Sequence, residues 1–306
     1  MYSLQKRYCK HLTLLHSYQY KIKTSLQYTK KLQSRQTPRM SPGAISPLSK
    51  VKALTFDVFG TVVNWRSSVT EELTLRAYRK TSSDLDPAVK TRVQKLNEED
   101  WGRFAQEWRN SYGKFTRGFD PEKHTWKTID QHHHDSLVEL LKAWDLADLY
   151  SPTEIESLSL VWHRLTPWDD SSDGIHKLGK TYKTSTLSNG NVSLLRDLND
   201  FGNLGFQVLL SGEKFRAYKP NPTVYSGAVR ELGLEPHEVS MVAAHLNDLE
   251  AARACGLRTV YVERPQEEAW DKEDERYQKA KEWVDIWITE DDQGFLALAQ
   301  RLKELA

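Results

Sequence analysis

Cysteine is scarce. The 306 residues contain two, Cys9 and Cys255, far apart in the chain. Two such thiols make neither a disulfide framework nor a zinc site, and reduced thiols suit an intracellular protein. No apolar run reaches membrane-spanning length, and no segment repeats. Acidic side chains are missing from residues 1–50, which hold 10 of the 43 Lys and Arg. The remainder therefore carries 33 basic against 42 acidic side chains, a net of −9 hidden inside an overall +1. Phosphate recognition wants a basic face, so a mildly acidic body argues against nucleic acid as the main partner. What is present is ordinary for a soluble globular enzyme: 39% hydrophobic and 28% charged residues, in a chain long enough for one large domain or two smaller ones.

Residues 1–50 stand apart. They are rich in Ser, Thr, Gln, Tyr and Lys. Basic, hydroxyl-rich and acid-free is the composition of an organellar transit peptide. Arginine is thin, however, with Arg7, Arg35 and Arg39 alone. The preferred reading is a disordered tail, or an over-extended start with the working protein beginning near Met40. The expected compartment is then the cytoplasm, with a mitochondrial address as the alternative. The stretch "TPRMSPGAISPLSK" reads as a linker, because its Ser-Pro pairs and glycine leave nothing to pack.

From Val51 the chain becomes periodic. "VKALTFDVF" is a short apolar strand. Further strands are expected within 178–190, 206–213, 239–245, 258–264 and 284–288. Helical patterns separate them, at 222–233 and 247–256. Alternation of this kind implies a parallel sheet covered on both faces. Residues 66–168 are helical in period and, with Trp65, hold seven of the ten tryptophans. An insertion that long exceeds a simple crossover. The expectation is a separate helical domain over 66–169, fed by two linkers, with 51–65 and 170–306 as the α/β core. Two of its helices are expected at 137–150 and 153–165. Trp65 and Trp168 flank the linkers and are candidates to shape the cleft entrance.

In doubly wound sheets, ligands bind outside the carboxyl ends of the strands. Asp57 ends the first strand, Ser188 and Asn189 the second. Lys219 lies just past the third, and His245 and Asp248 follow the fourth. A lone carboxylate there could be a helix cap. Two acids, a hydroxyl, an amide and a lysine converging read as an active site.

The segments "FDVFGT", "LSNG", "YKPNPTVY" and "AAHLNDLEAAR" resemble, in order and spacing, the four motifs of the haloacid dehalogenase superfamily. More narrowly they resemble type II 2-haloacid dehalogenases, in their fungal and bacterial relatives. The resemblance covers about residues 51–270. It implies a Rossmann-like doubly wound parallel sheet with an inserted helical cap, and makes Asp57 the nucleophile. Phosphatases of the superfamily carry a second acid two residues on, which serves as general acid and helps bind Mg²⁺. Here that position is Phe59, which can neither donate a proton nor assist phosphoryl transfer. A halide leaves without a proton, so the resemblance points to a cofactor-free dehalogenase of small 2-halo carboxylic acids, with no metal expected. Dimers are common among such relatives.

Further roles follow from the same resemblance. Asp57 must be ionised to form an ester, and Lys219 would favour that form. Thr61 would orient the nucleophile; its alternative is an N-terminal cap at the start of the following helix. Ser188 with neighbouring N–H groups would hold the substrate carboxylate, and Asn189 is a candidate halide donor. Arg109, in "FAQEWRNSYGKF", matches the arginine that faces substrate from the cap, although Arg103 and Arg117 are near neighbours. Tyr225 matches a site tyrosine and could equally be a core aromatic. Asp248 would hold Lys219 and help activate water. Where many members read Ser-Ser-Asn, this chain reads Ala243-Ala244-His245, so His245 either acts as the base itself or only fills space beside Lys219.

Other features read as plain. In "QHHHD", residues 131–135, adjacent side chains on a helix point about 100° apart and cannot all face one ion, so a solvated helix start is expected. Residues 263–282 read as a charged surface excursion. Two alternatives to the dehalogenase stand: a catalytically impaired fold of the same family that binds a small acid, and a phosphatase on small phosphate esters.

Overall fold

The structure is a computed structural model, and it describes residues 47–83 and 85–305. Cys9 and the readings made for residues 1–46 lie outside the described residues. Among the described residues, no helix is long and apolar enough to cross a membrane.

Six parallel strands form one sheet: β1 (Ala53–Phe56), β2 (Lys183–Ser188), β3 (Val208–Ser211), β4 (Val239–Ala243), β5 (Arg258–Val262) and β6 (Ile286–Ile288). Their order is β3-β2-β1-β4-β5-β6. Each coincides with an expected strand. A parallel strand buried on both faces reads as an unbroken apolar run, and "ALTF" in β1 is buried at every residue. The order reverses beside β1, which pairs with β2 on one side and β4 on the other. That reversal opens a crevice at the carboxyl ends of β1 and β4, and Asp57 is the first residue beyond β1.

The insert between β1 and β2 is helical: α1 (Trp65–Thr81), α2 (Pro87–Val93), α3 (Glu98–Gly118), α4 (Ile129–Ala143) and α5 (Pro152–Ser159), then a 3-10 turn, Leu160–His163. Helix α3 starts with a reciprocal capping pair, Asn97 and Asp100. Its buried residues Trp101, Phe104, Ala105, Trp108, Tyr112 and Thr116 recur at three- and four-residue spacing, one apolar stripe. The stripe packs on Trp162, whose ring meets Trp108 edge-on at 5.4 Å and stacks on His133 at 4.4 Å. A buried ring of this size removes roughly 150–250 Å² from water, or about 4–6 kcal/mol as an upper bound.

Two helices differ from expectation. The one expected over 137–150 ends at Ala143, where Asp145 turns left-handed (φ 56°) and lets Leu146 and Leu149 fold back into the core. The one expected over 153–165 stops at Ser159, and the tighter 3-10 turn buries Val161, Trp162 and His163 together. The histidine triplet is a correction too. His132 and His133 are buried, with His132 stacked on Phe115 at 4.5 Å; only His134 is partly open to solvent. Neighbouring rings supply a surface on which a neutral imidazole packs as an aromatic. The linker reading also yields at Leu48, which is buried against the core.

Outgoing and returning chains are tied together. Asn64 N–H donates to the Thr166 carbonyl at 2.8 Å, and Trp168 N–H to the Val62 carbonyl at 3.0 Å. Beyond this neck run α6 (Ser171–Leu178), α7 (Val192–Phe201), the short α8 (Gly212–Phe215), α9 (Pro222–Leu232), α10 (Leu246–Ala254), α11 (Glu275–Trp283) and α12 (Gly294–Leu305).

Candidate active site

Asp57 is buried at the sheet edge, and three side chains hold its carboxylate. Lys219 Nζ donates to Oδ1 at 2.9 Å. Thr61 Oγ1 donates to Oδ2 at 2.7 Å, and His245 Nδ1 lies 3.1 Å from the same oxygen. Burial alone would raise this carboxyl, but the Lys219 ammonium and the His245 hydrogen bond outweigh it and hold the group far below the usual carboxylate range. The reason is scale: at contact distance an opposite charge is worth about 4 kcal/mol even in a well-screened protein site, and Asp57 has two such neighbours.

Lys219 is fixed from behind. It lies in the turn before α9, whose start is set by Pro222 and the Asn221 side chain capping Thr223 N–H. Its backbone N–H donates to Asn189 Oδ1 at 2.7 Å. Its ammonium also contacts Asp248 Oδ2 at 2.5 Å. Burial would lower the lysine; Asp248 and Asp57 together raise it. Asp248, on the first turn of α10, spends its other oxygen on the Tyr225 hydroxyl at 2.6 Å. Burial raises this second carboxyl, Lys219 lowers it, Asp57 pushes it back up, and the net shift is upward. The Tyr225 phenol is pushed well up by burial and then by Asp248.

His245 spans two carboxylates. Nδ1 faces Asp57, and Nε2 lies 3.3 Å from Glu267 Oε2. Burial would lower the imidazole, but hydrogen bonds to Asp57 and Glu267 raise it to about 10. The resting ring is therefore an imidazolium at neutral pH.

Seven of the ten residues singled out by sequence border one cavity of about 250 Å³: Asp57, Arg109, Asn189, Lys219, Tyr225, His245 and Asp248. Tyr112 and Arg117 from α3 border it as well. Three do not. Thr61 stands behind Asp57, and its oxygen also accepts the Ala244 N–H at 2.9 Å. Its helix-cap alternative falls, because α1 begins at Trp65 and is capped by Asn64. Ser188 is buried and accepts the Gly190 N–H at 3.3 Å. Phe59 lies beneath the site, 2% exposed, edge-on to Tyr112 and Trp162. Arg109 sits over the rings of Tyr112, Phe59 and Trp65 at 4.5, 5.6 and 5.6 Å.

Neither linker tryptophan borders the cavity. The Trp65 indole donates to Glu267 at 3.1 Å and that of Trp168 to the Gly60 carbonyl at 2.8 Å. The surface reading of 263–282 is wrong at its start. Arg264 is buried and grips Asp170 with two hydrogen bonds, 2.6 and 2.8 Å. The Glu267 side chain is 4% exposed. A side chain at Gly60 (φ +86°) would strike Glu267 Oε2, so a glycine there makes the seat. Glu267 could have been found from topology, since it follows the carboxyl end of β5, next to the strand that carries His245.

A divalent cation does not suit this donor set. Lys219 and the imidazolium crowd Asp57, and Phe59 replaces the second acid. Among the described residues, no group of three or more His, Cys, Asp or Glu side chains is arranged to hold a metal.

Fold and site together define a class: doubly wound α/β proteins with an ionic cleft at the switch point and a helical insert beside it. The chain belongs to the haloacid dehalogenase-like hydrolase family, whose profile matches residues 51–256. It is 24% identical over 220 residues to the (S)-2-haloacid dehalogenase 4A of Burkholderia cepacia, covering 71% of this chain and 85% of that one. A solved L-2-haloacid dehalogenase is 32% identical and superposes with a TM-score of 0.66, covering 82% of this chain and 99% of its own. A solved defluorinating L-2-haloacid dehalogenase is 31% identical, with a TM-score of 0.68, covering 87% and 100%.

Proposed function

We propose that this protein hydrolyses the carbon–halogen bond of small 2-haloalkanoic acids through an ester on Asp57, without a metal. The observation that carries the reading is a buried carboxylate kept ionised by two cations at the wall of a small cavity, with Phe59 where a phosphatase needs an acid. In the first step Asp57 attacks the halogen-bearing carbon, and the halide leaves with the bonding electrons. Thr61 and Lys219 orient the two carboxylate oxygens. Arg109 and Asn189 offer cationic and N–H surface to the halide, and Ser188 shapes the turn whose N–H groups would meet the substrate carboxylate. Asp248 holds Lys219 and is itself held by the Tyr225 hydroxyl. The names of the relatives, (S)- and L-2-haloacid dehalogenases, agree with this substrate class. Residues 51–65 and 170–306 are taken as the catalytic domain, 66–169 as the cap, and the cytoplasm as the compartment.

Halide release from (S)-2-chloropropionate in EDTA tests the reading. A phosphate ester hydrolysed only with Mg²⁺ would favour the phosphatase instead. Binding of the acid with no turnover in either assay would favour an impaired family member.

A further inference from the structure

Resting on the dehalogenase reading, one part of the site is left over. Glu267 touches neither the cavity nor Asp57, yet it is a buried carboxylate in a made-to-measure seat. Its Oε2 meets Trp65 Nε1 at 3.1 Å and His245 Nε2 at 3.3 Å. Gly60, opposite, carries no Cβ to strike that oxygen. The usual candidate for activating water, Asp248, has one oxygen on Lys219 and the other on Tyr225. His245, by contrast, borders the cavity and faces the Asp57 carboxylate directly.

We propose that Glu267 is the positioning residue of a His245–Glu267 pair that clamps the nucleophile in the resting enzyme and becomes the base for ester hydrolysis once Asp57 is alkylated. The charges facing the ring come from Asp57 beyond β1 and Glu267 beyond β5, with Lys219 and Asp248 behind Asp57. On the insert side are Arg66, which faces Glu267, and Arg109. While Asp57 is ionised, two carboxylates hold the proton on the ring. Alkylation forms the Asp57 O–C bond as the C–halogen bond breaks, and removes one of those charges; no proton moves. The imidazolium, left with Glu267 alone, gives its Nδ1 proton to water. The freed Nδ1 then takes a proton from a water whose oxygen adds to the Asp57 carboxyl carbon. The acyl C–O bond breaks, and the 2-hydroxy acid leaves carrying the proton of the new carboxyl. Carboxylate and imidazolium are restored. One water is consumed, and one halide and one proton are released. Consumption of the nucleophile is thus what unmasks the base.

The test follows the two steps separately in Glu267→Gln with (S)-2-chloropropionate. Halide release in a single turnover reports alkylation, and intact mass reports the ester on Asp57. Alkylation should stay within a few-fold of wild type. Ester decay should slow by about 10- to 100-fold, part of the roughly 10²–10⁴ that a general base contributes. The adduct should accumulate, and the pH profile of its decay should move to lower pH. Glu267→Asp should restore part of the rate. Equal slowing of both steps, or unchanged ester decay, would overturn the proposal. Trp65→Phe provides a check that leaves the carboxylate in place. With one donor fewer, Glu267 should hold the ring proton harder and move the profile to higher pH; no movement would count against the pair. Wild type that releases no halide would sink the dehalogenase reading itself, whereas halide release with normal ester decay in Glu267→Gln sinks this inference alone.

Discussion

The edge of the sheet and the heart of the helical insert both hold histidine, and they do opposite things to it. At the edge, His245 lies between Asp57 and Glu267, and its imidazole rises to about 10. In the insert, His133 stacks on Trp162. Burial, then the neighbouring His132 and Arg109, press its imidazole well below the ordinary value. His132 is pushed down to about 4, by burial and then by Lys127. His133 is the deeper of the two, but burial would lower both imidazoles, so the two carboxylates beside His245 decide the opposite sign. One region keeps its polar groups ionised and aimed at a cavity; in the other, His132 and His133 stay neutral and serve as packing.

The sharpest way to separate the regions is to disarm one without unfolding the other. Asp57→Asn should abolish turnover, by at least about 10⁴-fold, as loss of a covalent nucleophile does. Its thermal midpoint should stay near wild type, because Lys219 keeps Asp248 as a partner. Halide assay and melting curve together check both halves. Trp162→Ala is the converse, and should cost about 3–5 kcal/mol in denaturant unfolding. If that substitution left stability untouched, the insert would not be the packed region described.

A third change probes ionic structure away from the cavity. Asp170→Asn leaves the buried Arg264 guanidinium without its carboxylate and should cost about 3 kcal/mol, again read from denaturant midpoints. The smallest effects are in pH. His133 has a lowered folded value, so its contribution is present above the unfolded value of about 6.5 and is lost as pH falls, at up to about 1.4 kcal/mol per pH unit. His133→Phe should flatten the acid limb of stability. His163, between Asp130 and Asp197 at 3.0 and 2.7 Å, behaves oppositely. Burial would lower it, but the two carboxylates raise it. Its contribution is present below about 6.5 and is lost as pH rises through the raised folded value. Asp197 is half exposed, so solvent screening limits the effect to about 1 kcal/mol or less. His163→Gln should flatten the alkaline limb.

The strands were readable because a parallel strand buried on both faces leaves an apolar run that needs no knowledge of its partners. Asp57, Lys219, Asp248 and His245 were readable because polar residues at the ends of such runs are costly and must have a use. Glu267 and Arg264 were hidden in a stretch whose charge density resembles a solvated surface, and only contacts across some 200 residues show that they turn inward. The burial of His132 and His133 was hidden for a related reason, since the rings that receive them come from α3 and from the 3-10 turn.

The neck that joins Val62 and Asn64 to Thr166 and Trp168 brings both ends of the insert to one place. Both of its ends pass through a single short clasp, closed by main-chain hydrogen bonds and by the Ser68 hydroxyl, which accepts the Thr166 N–H at 2.9 Å. Asp57, Lys219, His245, Asp248 and Glu267 all lie outside the insert, while Arg109, offered to the halide, lies within it. A change on the insert side would therefore reach the departing halide through Arg109 while leaving the carboxylates and the lysine in place.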